Sequence, residues 1–250
     1  MTRLRVGVIG VGHLGSLHAK MLSGIPSAEL AGVMDVDQSR AGSVAKELGV
    51  AASSTPAELL DRVEAVVIAA PTGEHFALAR LAIEAGVHVF VEKPITSTVE
   101  QAALIVGLAR ERKIKIQVGH IERFNPALLA LEKYNLQPMF IESHRLAQFN
   151  PRGTDVAVVL DLMIHDIDII VSLVHSPVAG IEANGVAVVS DTIDIANARI
   201  RFENGCVANV TASRISQKKM RKMRLFQKDA YTSIDFSEGL AEVFRLRGDR

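Results

Sequence analysis

The pattern of apolar and polar positions changes near residue 120, and the two halves predict different elements. In the first half, short runs rich in β-branched residues at 4–9, 29–34, 65–70, 87–91 and 115–118 are almost continuously apolar, as expected of strands buried on both faces. Helical spacing between them predicts helices over 14–23, 38–48, 74–85 and 98–112. Boundary residues agree with this reading. Thr55-Pro56 fits an N-cap and first helical residue, Gly49 and Gly86 fit C-terminal caps, and Ser97-Thr98-Val99-Glu100 fits a capping box. Such alternation calls for a doubly wound parallel sheet with helices on both faces, here over 1–120. Past that point a short helix starts at Asn125-Pro126 and a longer apolar one covers about 156–174. Strand patterns follow at 180–189, 192–202, 206–214, 220–227, 231–236 and 241–246, with Asn204-Gly205 as a hairpin turn. The second half, 121–250, is therefore expected to be an α+β domain with a mainly antiparallel sheet.

Composition narrows the classes of function. Lys+Arg and Asp+Glu number 28 each over 250 residues, which removes a global electrostatic argument for nucleic acid or membrane surfaces. Aromatic residues make up 4% and Trp is absent, so a base-stacking surface is not expected. The single cysteine, Cys206, cannot form an internal disulfide, which fits a reducing, cytoplasmic setting. The basic-then-apolar start is interrupted by Gly7 and Gly10 and has no small-residue cleavage site. No apolar run approaches the roughly 18 residues that a spanning helix needs. His18, His88, His144 and His175 lack metal-ligand spacing, so no metal is expected.

Candidate chemistry begins at Gly10-Val11-Gly12-His13-Leu14-Gly15, directly after the first strand and opening a helix. Gly10 permits a tight turn, Gly12 lets backbone approach a pyrophosphate, and Gly15 lets helix and strand pack closely. N–H groups at the helix start, around His13 and Leu14, face the anion. Asp35 follows 20 residues after Gly15, at the end of the second strand, where a carboxylate accepts from a ribose 2′-OH. Together these features read as a Rossmann dinucleotide-binding unit. A carboxylate there disfavours a 2′-phosphate, so NAD is expected over NADP; Arg40 reads as a solvated residue on the next helix, the alternative being that it softens that repulsion. Glu92-Lys93-Pro94 follows an apolar strand, and Pro71 ends the strand before it, so both segments should flank the cofactor crevice. Lys93 can polarise a hydroxyl or carbonyl, a solvated strand end being the alternative, and His75 reads as a packing residue at a helix start, a catalyst being the alternative. Asp161 and His165, four apart on a helix, share a face and make an acid–base unit, the alternative being an ordinary polar stripe. Asp166 and Asp168 read as structural or solvated. His120, Glu122, Arg123 and Asn125 can face the cleft, where Arg123 either binds a substrate anion or forms a structural ion pair. The basic run Lys218–Arg224 reads as solvated or subunit-contact charge.

The ordered motifs GVIGVGHLG, Asp35-Val36-Asp37, AAPTGEH, VEKP, GHIERFNP and DLMIHDID resemble the Gfo/Idh/MocA family of NAD(P)-dependent oxidoreductases over nearly the whole chain. The resemblance implies an α/β Rossmann domain followed by a sheet-containing substrate domain. It also implies that Lys93, Asp161 and His165 are catalytic, that Gly10, Gly12, His13, Leu14, Gly15, Asp35, Pro71, Glu92 and Lys93 bind NAD, and that Lys93, His120, Arg123, Asn125 and His165 bind substrate. Within the family, GHIERFNPA is most similar to the nucleotide-sugar 3-dehydrogenases acting on C3 of a UDP-N-acetylglucosamine-type sugar. An inositol or free sugar is the alternative substrate, and a non-catalytic NAD-binding regulatory protein or a scaffold the alternative class. Homodimers or homotetramers assembled through the second-domain sheet are implied. Members usually continue past this point, so the second domain is expected to be shortened at its C-terminal end.

Overall fold

A computed structural model describes residues 2–150 and 156–246. The chain divides into two compact units, Met1–Gly119 and His120–Arg250. The tail at 247–250 lies outside the described residues.

The first unit is a six-stranded, all-parallel sheet in the order β3-β2-β1-β4-β5-β6. Its strands are β1 (Leu4–Ile9), β2 (Ala28–Met34), β3 (Ala51–Ser53), β4 (Ala65–Ile68), β5 (His88–Val91) and β6 (Ile116–Val118). Helices α1 (His13–Ser23), α2 (Gln38–Leu48), α3 (Pro56–Leu60), α4 (Thr72–Glu84) and α5 (Val99–Glu111) connect them. This is the Rossmann order, whose direction reverses between β1 and β4. Alternate strand residues feed two cores, which is why the strands are apolar throughout. Val8, Val33 and Val67 pack with Ala19 of α1 and Ala45 of α2. Ile9, Val66 and Ile68 pack with Leu59, Ala79, Ile83 and Ile105 from α3, α4 and α5. Thr55 caps α3 by accepting from the Glu58 N–H at 3.2 Å, and Gly49 ends α2 at φ +68°. The capping box falls one residue later than expected: Thr98, not Ser97, caps α5 by accepting from the Gln101 N–H at 3.3 Å. Strand β3 is not expected from the pattern, because its three small residues carry no alternation.

The second unit is a seven-stranded sheet in the order β13-β12-β11-β7-β10-β9-β8, antiparallel except for the β7–β10 pair. Its strands are β7 (Phe140–Leu146), β8 (Val178–Val186), β9 (Ile195–Phe202), β10 (Val207–Ser213), β11 (Met220–Phe226), β12 (Ala230–Asp235) and β13 (Leu240–Arg245). Asn204-Gly205 does turn β9 into β10, with Gly205 at φ +88°. Strand β7, at the centre, is missing from the expected set. A short α6 (Pro126–Leu129) and α7 (Ile164–Val174) cover one face, where Ile141, Ile169, Ile170, Val210, Met223, Leu225 and Ile234 form the core. On the opposite face Phe140, Phe226, Tyr231 and Phe244 form a row with ring centroids 5.2–6.0 Å apart. The helix expected over 156–174 is not one α-helix: a π-helical turn, Val159–Met163, runs into α7. Among the described residues no helix is long and apolar enough to cross a membrane.

Candidate functional site

In the first unit, the expected cofactor residues all lie at the carboxyl edge of the parallel sheet. Gly10 leaves β1 at φ +83°, and a Cβ there would stand 2.7 Å from the Ala70 nitrogen, at the point where strand order reverses. A Cβ on Gly15 would stand 1.7 Å from the Gly10 carbonyl oxygen, so helix α1 can begin this close to β1 only with glycine. At Gly12, by contrast, a Cβ would meet no described atom within 4 Å. Gly12 is the N-cap of α1 and offers no side chain to its N–H groups; His13 and Leu14 follow it on the exposed surface. Open space, a helix N-terminus and no competing cap are together the features that suit an anion.

Asp35, 4% exposed, closes the edge from the end of β2. One carboxylate oxygen accepts from the Val11 N–H at 2.8 Å, which ties it to the glycine turn, and the other accepts from the Asp37 N–H at 2.9 Å. Arg40 is exposed, as expected, but it is also paired. Its Nη1 lies 3.3 Å from both Asp35 oxygens, and its Nη2 lies 3.3 Å from Asp37. The carboxylates of Asp35 and Asp37 therefore have a cation beside them.

Glu92 and Lys93 follow β5. Glu92 is 9% exposed; its Oε1 lies 2.7 Å from His18 Nε2 on α1, and its Oε2 accepts from the Lys93 N–H at 3.3 Å. Burial works to raise the Glu92 carboxyl, but the His18 contact and the Lys93 N–H and charge outweigh it and hold the group below the ordinary carboxylate range. Gly119 makes room for this carboxylate, since a Cβ there would come within 3.0 Å of Oε2. Lys93 is half-buried, and Pro71 is exposed at the start of α4. The sequence reading missed the His18–Glu92 link; nothing in local spacing signals a contact across 74 residues.

In the second unit, Asp161 stands in the π-helical turn and His165 in the first turn of α7, both half-buried. The pair lies on consecutive turns of one helical segment, but not by regular α spacing. A π turn, closed by i→i+5 bonds, is wider and brings residues four and five apart onto one side, a distortion frequent at functional sites.

Two residues expected at the substrate, Arg123 and Asn125, have partners within the fold. Arg123 forms a bidentate pair with Asp168, Nε to Oδ2 at 2.7 Å and Nη2 to Oδ1 at 2.6 Å, and the Asp168 bonds raise the guanidinium further above its ordinary range. The ion pair of the structural reading is therefore present, on a guanidinium that is still half-exposed. Asn125 caps α6 by accepting from the Ala127 N–H at 3.0 Å, and it donates to the Phe236 carbonyl at 3.0 Å. Its amide is thereby committed to the fold. His120 Nδ1 lies 3.7 Å from Asp168 Oδ2.

Asp166 and Asp168 are anchors rather than solvated charges. Asp166, 1% exposed, receives Nε and Nη2 of Arg145 at 3.1 and 2.9 Å, while Arg145 Nη1 reaches Glu122 at 3.2 Å. Burial lowers the Arg145 guanidinium, but the two carboxylates outweigh it and raise the group overall. The segment 120–125 is thus pinned to α7 and β7 by charge. From the basic run, Arg221 joins Glu122 at 3.6 Å, Lys222 pairs with Asp235 at 3.2 Å and Arg224 with Glu142 at 3.3 Å. Among the described residues no group of three or more His, Cys, Asp or Glu side chains is placed to hold a metal ion.

Comparison with known proteins adds to this geometry. Residues 4–120 match the model of an oxidoreductase family with an NAD-binding Rossmann fold, and residues 137–240 match the model of the GFO/IDH/MocA C-terminal domain. The chain is 42% identical to UDP-N-acetylglucosamine 3-dehydrogenase of Acidithiobacillus ferrooxidans over 98% of this chain and 78% of that protein. A solved structure of that enzyme superposes with a TM-score of 0.94, covering 99% of this chain and 82% of the other. Identity to the scyllo-inositol 2-dehydrogenase (NAD(+)) of Bacillus subtilis is 30%, over 86% of this chain and 68% of that protein.

Proposed function

The chain belongs to the Gfo/Idh/MocA oxidoreductase family, and from that premise we propose that it oxidises the C3 hydroxyl of a UDP-N-acetylhexosamine-type nucleotide sugar with NAD. The observation that carries this reading is the 42% identity to a UDP-N-acetylglucosamine 3-dehydrogenase across nearly the whole chain. The carboxyl edge of the first sheet fits the cofactor chemically: the open turn at Gly12 suits a pyrophosphate, and the buried Asp35 suits a ribose diol. Residues 1–120 are assigned to NAD and residues 121–250 to the sugar and to self-association.

The roles follow from the side-chain chemistry. N–H groups of the Gly10–Gly15 turn hold the pyrophosphate, and Asp35, with Arg40 beside it, receives the adenosine ribose. Bound NAD supplies the hydride acceptor. Glu92 keeps the turn after β5 in register with α1 through His18. Lys93 donates to the hydroxyl under oxidation and stabilises negative charge on its oxygen. His165, kept in orientation by Asp161, accepts the hydroxyl proton. His120 contributes a further polar contact to the sugar. Self-association is assigned to the uncovered face of the second sheet, where the row Phe140–Phe226–Tyr231–Phe244 offers an apolar surface. The lone buried Cys206 suits action in the cytoplasm.

A second reading, an inositol as substrate, is favoured by the 30% identity to an inositol dehydrogenase. NADH formation with UDP-N-acetylglucosamine, UDP-N-acetylgalactosamine and myo-inositol separates the two. Turnover is expected with a nucleotide sugar, and Lys93→Met and His165→Ala should each lower kcat about 10²- to 10⁴-fold. Turnover with inositol alone would favour the second reading. NAD binding without turnover on any of the three would place the chain among non-catalytic NAD-binding proteins.

A further inference from the structure

His75 takes no part in the chemistry assigned above, yet its surroundings are not those of a packing residue. It stands in the first turn of α4 and is 1% exposed. Its ring joins two loops: Nε2 lies 2.9 Å from the carbonyl oxygen of Ala70, just past β4, and Nδ1 lies 2.8 Å from that of Pro94, one residue after Lys93. Carbonyl oxygens only accept, so each contact calls for a ring N–H. A neutral imidazole supplies one and an imidazolium two. An apolar ring of the same size would fill the space and supply none.

The loops it ties leave neighbouring parallel strands, β4 and β5, at their carboxyl ends. One carries Pro71; the other carries Glu92 and Lys93. The β5 turn is held at its start by His18 on the Glu92 carboxylate. His75 holds its far side through Pro94. Rotation of the backbone around Pro94 would swing the Lys93 stem, and the His75 bond opposes that rotation.

We propose that His75 is a positioning residue that fixes Lys93 by bridging the Ala70 and Pro94 carbonyls. The inference rests on the reading of Lys93 as the group that donates to the reacting hydroxyl. Misplacing such a group by about 1 Å costs on the order of 10²-fold in rate, so loss of both bonds should slow the chemical step by about 10- to 100-fold.

The test compares the full chain with His75→Phe, His75→Gln and Lys93→Met. Single-turnover NADH formation with UDP-N-acetylglucosamine should fall by about 10- to 100-fold in His75→Phe, with NADH affinity unchanged. In the cofactor-free protein, amide exchange at Lys93, Ile95 and Thr96 should quicken while the interior of α4 stays protected. His75→Gln, which keeps an amide donor, should recover part of the rate. A His75→Phe rate within twofold of the parent, or unchanged exchange at 93–96, overturns the proposal. So does a parallel loss of NADH affinity, α4 protection and rate, which is the signature of simple packing. If His75→Phe does not fold, His75→Gln carries the test: an intermediate rate with faster exchange at 93–96 supports the proposal, and parent values for both overturn it. Lys93→Met separates the two failures. Parent-like turnover in that variant removes the Lys93 reading, whereas its inactivity beside an unaffected His75→Phe removes only the role of His75.

Discussion

Arg145→Met tests how the second unit is held together. The guanidinium lies almost wholly out of solvent, with two N–H bonds to Asp166 at 2.9 and 3.1 Å and a third to Glu122 at 3.2 Å. Methionine fills much of the same volume but leaves Asp166, 1% exposed, without its counter-ion. Breaking one side of a buried pair costs about 3–5 kcal/mol. Two charge-assisted bonds at about 1.5–3 kcal/mol each give a similar range. Urea unfolding followed by tyrosine fluorescence reads this unit alone, because the chain has no Trp and both tyrosines, Tyr134 and Tyr231, lie in it. With a slope of roughly 2 kcal/mol per molar urea, the midpoint should fall by about 2 M. The double variant Arg145→Met with Asp166→Leu should recover most of that loss, since an apolar pair removes the stranded charge. A midpoint within about 0.5 M of the parent for Arg145→Met, or a double variant as weak as the single one, would refute the reasoning.

Three further outcomes follow from other parts of the molecule. Gly12→Ala should leave the melting temperature unchanged, because its Cβ meets open space, yet weaken NADH binding in a fluorescence titration at least tenfold. Gly15→Ala should lower both melting temperature and binding, because its Cβ collides with the Gly10 carbonyl oxygen. Asp194 accepts from the Ser190 N–H and hydroxyl and from the N–H groups of Val189 and Val188, which hold its carboxyl far below the ordinary value of 3.8. A depressed folded value means that the unfolded chain binds the proton first, so this stabilisation is complete well above pH 3.8 and drains away as pH falls below it. Asp194→Asn should therefore flatten the acid limb of stability measured by tyrosine fluorescence between about pH 5 and pH 2; an unchanged limb would contradict the assignment.

Most of the first unit was legible because each of its signals is local. Strands buried on both faces are apolar without interruption, and the glycine turn, its helix and Asp35 lie within one βαβ unit. Strand β7 was invisible because its buried face reads Ile141, Ser143, Arg145, while Phe140 and Leu146 point the other way. Arg145 makes sense inside only with Asp166, 21 residues onward. Long-range partners hid the rest: Asp168 for Arg123, Glu92 for His18 and Pro94 for His75 are contacts that no spacing rule reaches. Arg40 is exposed as expected, and its pairing with Asp35 matches the alternative reading, since its partner lies on the preceding strand end rather than on its own helix. The π turn at Val159–Met163 has no signature in the apolar pattern, so the expected single α-helix over 156–174 missed it.

The central claim is that this chain removes hydrogen from C3 of a nucleotide sugar. It is tested most directly with UDP-N-acetylglucosamine carrying deuterium at C3, incubated with the chain and NAD. Deuterium should appear at the nicotinamide C4 of the NADH formed, with a slower rate than for the unlabelled sugar in single turnover. NADH that forms without the label, or no NADH at all, would contradict the claim.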